Sequence, residues 1–172
     1  MNDFGKVRTG DILYVSGKGF VSWLVKKVTG GPISHVAIVF SPGFITEASA
    51  LSGKVIFTPI SKYSKSNLFI RRLRSMTVEQ RVKVASLCVE YKGKPYSYFD
   101  ILLNLLGAPM SDKWRHKFVS GLGNKGFLRC GELMRRVIYE ATGYLPYKDF
   151  EASHPYETFQ DGEKSDDFEV IL

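Results

Sequence analysis

Apolar and polar positions alternate in short runs over the first half of the chain and pass into helical spacing over the second. Gly10 and Asp11 lead into Ile12-Leu13-Tyr14-Val15, a strand entered from a turn. Phe20, Val21, Trp23, Leu24 and Val28 recur at helical spacing, with Gly30 suited to a left-handed helix end. After the break at Gly30-Gly31-Pro32, Ser34 to Phe40 is β-branched and apolar enough for a buried strand, Ser41-Pro42-Gly43 reads as a turn, and Phe44 to Ala50 returns. Val55 to Ile60 and Asn67 to Leu73 read as two further strands, separated by the polar Ser61-Lys62-Tyr63-Ser64-Lys65. Thr77 and Gln80 make a capping-box pattern ahead of a helix that carries Val78, Val82, Ala85 and Val89 on one stripe and stops at Gly93-Lys94-Pro95. Tyr98 to Leu106 is a helix apolar almost all round, expected to be buried or to touch an apolar ligand. A basic, glycine-rich loop follows through Trp114, His116 and Gly121-Leu122-Gly123-Asn124, and a last helix opens at Cys130 with Leu133, Val137 and Ile138 on its apolar face and Gly143 and Pro146 as its stop.

The hairpin allows a geometric test. If Phe40 pairs with Phe44 around a three-residue loop, Ala37 faces Glu47 and His35 faces Ser49. His35 and Ala37 share a face because side chains alternate. Glu47 then lies diagonal to His35, within side-chain reach. A two-residue loop would slip the register and turn Glu47 to the other face.

Length and composition bound the class. With 172 residues and 44% hydrophobic content, one domain burying roughly 70% of its unfolded surface is expected. The opening residues 1–15 lack the apolar stretch and cleavage site of a secretory signal, and no run reaches the roughly 18 apolar residues of a membrane span. A cytoplasmic chain is the default expectation. Two cysteines make no disulfide framework, and no CxxC or His-rich cluster suggests zinc.

Charge is unevenly spread. The last sixteen residues, from Glu157, hold six of the 17 acids and one of the 24 bases, leaving a body of +12 beneath the net +7. Residues 1–156 are therefore read as the folded domain and residues 157–172 as an acidic tail, either mobile or folded back over the basic body. The body would be drawn to polyanions such as an anionic cell envelope. Basic clusters such as Arg71, Arg72 and Arg74 are read as a solvated face, and without an aromatic-interleaved motif nucleic acid ranks low as a partner.

A cysteine in the first turn of a helix meets unpaired backbone amides and the positive end of the helix dipole. Both favour thiolate, and a helix start with an imidazolium lowers a thiol pKa of about 8.5 by several units. Cys130 is thus a candidate nucleophile, with the His35 imidazole as its candidate partner and Glu47 within reach of that ring. Cys88, mid-helix, is the inert counterpart. His116 and His154 are read as surface residues.

The motifs Gly10-Asp11-Ile12, Gly31-Pro32-Ile33-Ser34-His35-Val36-Ala37-Ile38, Thr46-Glu47-Ala48, Gly93-Lys94-Pro95-Tyr96 and Cys130-Gly131-Glu132-Leu133 occur in one order along nearly the whole chain. In that order they resemble the permuted branch of the NlpC-type cell-wall peptidases, the papain-like group that includes YiiX-like proteins and lecithin retinol acyltransferase. The resemblance implies an α+β, circularly permuted papain-like domain with a small antiparallel sheet, and a Cys130-His35-Glu47 triad acting through a thioester. It implies no metal or organic cofactor. Tyr96 enters as an oxyanion or substrate candidate by analogy with a Pro-Tyr motif of unpermuted relatives. Asp11 is carried either there or as a carboxylate that fixes a turn. Gly131 stands where the family usually has serine. The expected substrate is an amide, most readily in a cell-wall peptide reached by a virus-encoded or lysis-released enzyme. An acyl-lipid hydrolase or acyltransferase with peripheral lipid contact, and a catalytically silent binding module, are the rivals.

Overall fold

The computed structural model describes residues 2–96, 128–147 and 154–172. The expected helix at Tyr98 to Leu106 and the loop through Trp114 and His116 lie outside them. The described elements run β1 (Ile12–Ser16), α1 (Phe20–Thr29), β2 (His35–Ser41), β3 (Phe44–Ser49), β4 (Lys54–Pro59), β5 (Asn67–Leu73), α2 (Val78–Tyr91), α3 (Cys130–Thr142), α4 (Pro155–Lys164) and β6 (Phe168–Val170), with short 3-10 turns at Ile60–Tyr63 and Leu145–Tyr147. The strands form one sheet in the order β4-β3-β2-β1-β5-β6, with every pair antiparallel. The class is α+β, as the sequence pattern and the resemblance imply.

Alternation divides the core in two. Ile12, Tyr14, Val36, Ile38 and Ala48 turn to one face and pack with Val84, Cys88 and Tyr91 of α2 and Leu133, Met134, Val137 and Ile138 of α3. Leu13, Val15, Ala37, Val39, Ile45 and Ile70 turn to the other, where Ile60 covers them. His35 opens β2 at the end of the strand, so elements from either face can reach it.

Three expectations change. Ser41, not Phe40, pairs with Phe44, so the loop has two residues, Pro42 and Gly43, the latter at φ 81°. Phe40 is an extra residue bulged between the Val39–Ile45 and Ser41–Phe44 pairs. The bulge cancels the slip that the shorter loop would cause, and Ile38 pairs with Thr46, the register that sets Glu47 diagonal to His35.

The valine stripe expected on α2 faces outward: Val78, Val82 and Val89 are exposed, while Val84, Cys88 and Tyr91 are buried. The capping box is as expected, Thr77 Oγ1 accepting from Gln80 N at 3.2 Å and Gln80 Oε1 from Thr77 N at 2.9 Å.

The boundary expected before Glu157 falls inside α4. The acidic segment is folded back on the body: β6 pairs with β5, Phe159 and Phe168 join the core, Asp161 meets Arg135, and Glu169 lies 3.3 Å from Arg72. Gly31 permits the close approach of α4, since a Cβ there would collide with the Tyr156 ring.

Candidate functional site

Glu47 is a buried carboxylate with its hydrogen-bonding capacity filled. It is 1% exposed, and its two oxygens meet four donors: His35 Nε2 at 2.8 Å and Tyr63 OH at 2.6 Å on Oε2, Thr58 Oγ1 at 2.7 Å and Lys62 Nζ at 2.8 Å on Oε1. A buried carboxylate is costly unless its lone pairs are filled. Burial pushes the Glu47 pKa up, but the His35 hydrogen bond and charge, with Lys62 and Tyr63, win and hold it far below the usual carboxylate range.

Lys62 and Tyr63 come from the 3-10 turn that the sequence presents as a polar spacer. That turn is pinned by Ile60, whose side chain is buried under the sheet and whose amide donates to Gly43 O at 2.9 Å. The pinning delivers both donors to β3. The one sequence signal for them was a Lys-Tyr pair one turn after Pro59.

The second nitrogen of His35 is left for the thiol. Cys130, 7% exposed, opens α3 directly after Arg129, the N-cap residue. Burial alone would raise its pKa; the hydrogen bond and charge of His35, then the amides of Val36 and Gly131, lower it. For His35, burial works against protonation, but the bonds and charges of Cys130 and Glu47 overcome it and raise the pKa from 6.5 to about 9. A thiolate–imidazolium pair over a fixed carboxylate is the state this arrangement favours. Cys88, with none of these partners, is pushed up to about 11 by burial.

The three groups border a cavity of about 540 Å³. Phe20, Val21, Leu24 and Val25 of α1 form one wall, and Leu51, Tyr96, Lys62, Arg129 and His154 complete it with others. Tyr96 therefore lines the same cavity as Cys130, placed by its amide bond to Gly53 O at 2.8 Å. His154, read from sequence as a surface residue, also lines the cavity. Asp11 does not. It is fully buried elsewhere, accepting Arg72 Nε at 2.7 Å, Arg72 Nη2 at 2.8 Å and Arg8 N at 2.8 Å. These bonds tie the turn at Arg8–Asp11 to β5.

No family model matches the chain. The probable lipoprotein peptidase YaeF of Escherichia coli strain K12 is 24% identical across 73% of this chain and 49% of its own length. The chain thus spans about half the length of that curated relative. Among solved structures, the metalloprotein YiiX of Escherichia coli O157:H7 superposes with a TM-score of 0.64, covering 96% of each chain at 19% identity. YiiX is described as a metalloprotein. Among the described residues no group of three or more His, Cys, Asp or Glu could hold an ion, and both Glu47 oxygens are committed to protein donors. The chain is thus similar in sequence to YaeF and shares the fold of YiiX.

Proposed function

We propose that the chain is a cysteine hydrolase that cuts an amide bond, in a cell-wall peptide or a similar acyl-amide, with Cys130 as nucleophile, His35 as base and Glu47 as the group that orients His35. The observation that carries this reading is the buried line from Glu47 through His35 to a thiol in the first turn of α3, open to one cavity. The peptidase name of YaeF supports the same class.

The Cys130 thiolate attacks the carbonyl carbon, and the charge moves to the carbonyl oxygen, where the Cys130 amide and the Tyr96 side chain are the candidate donors. The C–N bond then breaks, the leaving nitrogen takes a proton from the His35 imidazolium, and a thioester remains. Water adds next, its proton passing to His35, and release of the acid returns the thiol. Glu47, kept ionised by its four donors, holds the ring and balances its charge without taking the proton.

A second reading, hydrolysis or transfer of a lipid acyl group, is favoured by the apolar wall that α1 gives the cavity. Incubation of the protein with a muropeptide or with a phospholipid ester, followed by intact mass, separates the two by which acyl group is found on Cys130. Acylation by neither, together with a Cys130 alkylation pKa that His35→Ala leaves unmoved, would leave a binding module and sink the enzyme reading.

A further inference from the structure

The apolar wall that α1 gives the cavity continues outward into an exposed surface. Phe20 and Trp23 are 70% and 53% exposed and stack with ring centroids 5.9 Å apart, Val21 beside them is 39% exposed, and Leu51 across the cavity is 92% exposed. Scattered exposed apolar residues need no explanation, but adjoining ones at the rim of a cavity do. The charge around them has one sign. Between Asp11 and Glu47 the sequence contains no acid, and its bases before β2 are Lys18, Lys26 and Lys27. Lys18 and Lys27 are exposed, and Lys27 Nζ sits 5.2 Å over the Trp23 ring.

A short helix with aromatic rings outward, lysines beside them and no carboxylate has the makeup of a segment that lies in the headgroup layer of an anionic membrane. The rings would enter the acyl boundary while the lysine amines stay at phosphate level. A second copy of this chain is a poorer occupant, since two such faces would bring like charges together. We infer that α1 docks the protein onto an anionic lipid surface, with the mouth of the Cys130 cavity facing the bilayer. Leu24 and Val25, on the inner side of the same helix, then connect that surface to the cavity.

The test is co-sedimentation of the full chain with vesicles of phosphatidylcholine alone or with 30 mol% phosphatidylglycerol. It uses the Cys130→Ala protein as well as the unaltered one, so that the result does not depend on catalysis. Binding should require phosphatidylglycerol and fall steeply between low and 0.5 M salt, where surface charge is screened. Trp23→Ser, which alters no cavity-lining residue, should weaken binding about tenfold or more, on the scale of losing one large apolar contact. Lys18→Glu with Lys27→Glu should weaken it at least about fivefold for each charge. Alkylation of Cys130 in the Trp23→Ser protein should keep its wild-type rate, which shows that the site is intact. Equal binding to neutral vesicles, no binding at low salt, or binding unchanged in Trp23→Ser would overturn the inference. So would concentration-dependent dimerisation in the absence of lipid that Trp23→Ser abolishes, since that would assign the face to a second copy.

Discussion

Glu47 and His35 shift their proton affinities in opposite directions. The Glu47 carboxyl lies below its ordinary value of 4.5 and His35 above its ordinary 6.5, at about 9. The signs run in opposite directions: what Glu47 contributes to stability is whole above about pH 4.5 and lost as the pH falls, and what His35 contributes is whole below about pH 6.5 and lost as the pH rises toward 9. Stability measured by urea unfolding should therefore plateau between pH 4.5 and 6.5 and decline on both sides. Glu47→Gln should flatten the acid limb. It should also lower stability at pH 6 by about 1–3 kcal/mol, because a neutral amide leaves buried donors without an acceptor. Reactivity offers a second measurement with an internal control. Iodoacetamide at pH 7 should label Cys130 and spare Cys88, whose pKa burial raises to about 11, and His35→Ala should move the Cys130 profile toward that of an ordinary thiol. Cys130 and His35 were legible in the sequence because a helix start and a strand start are local signals. Lys62 and Tyr63 were not, since nothing local says that a polar turn folds back against β3, two elements earlier. Asp11 was legible only as a pair of alternatives, and its partner Arg72 is sixty-one positions away.

Among the elements, the β2–β3 hairpin reached the expected register by an unexpected route. Turn length and bulge each displace the pairing by one residue, and here they act in opposite directions. Deleting Phe40 removes the bulge while the two-residue loop stays, so Val39 still pairs with Ile45 and Glu47 still falls diagonal to His35. The deletion should leave the Cys130 alkylation profile in place and cost about 1–3 kcal/mol, chiefly the stacking of Phe40 on Phe57 at 4.1 Å. Loss of the low alkylation pKa in that variant would show that the bulge itself is needed. The hairpin was readable because alternation constrains a strand buried on both faces. On α2 the same kind of reading failed: valines at helical spacing define a stripe, yet the larger Tyr91 and the Val84–Cys88 pair decide which side meets α3.

For the molecule as a whole, the acidic end of the chain is part of the fold. It adds β6 to the sheet, brings Phe159 edge-on to Tyr14 at 5.3 Å, and donates acceptors to Arg72 and Arg135. Ending the chain at 156 would expose β5 as an edge and strip two buried phenylalanines, each worth about 1.5–3 kcal/mol of burial. That sum approaches the whole stability of a typical domain, about 5–15 kcal/mol. The truncated protein should melt far below the full chain in a thermal scan, or fail to fold. Composition could flag residues 157–172 as different but not as attached, because the attachment runs through arginines that the sequence offers equally to solvent.

The order of the two halves also has a consequence in time. His35, Glu47 and the turn that carries Lys62 and Tyr63 lie in the first sixty-three residues, whereas the thiol arrives ninety-five positions after the histidine. At about 5–20 residues per second, a ribosome would complete the carboxylate and imidazole side of the site several seconds before it adds the sulfur. The growing chain carries His35 without Cys130, and the hydrogen-bonded pair forms only when the C-terminal third docks.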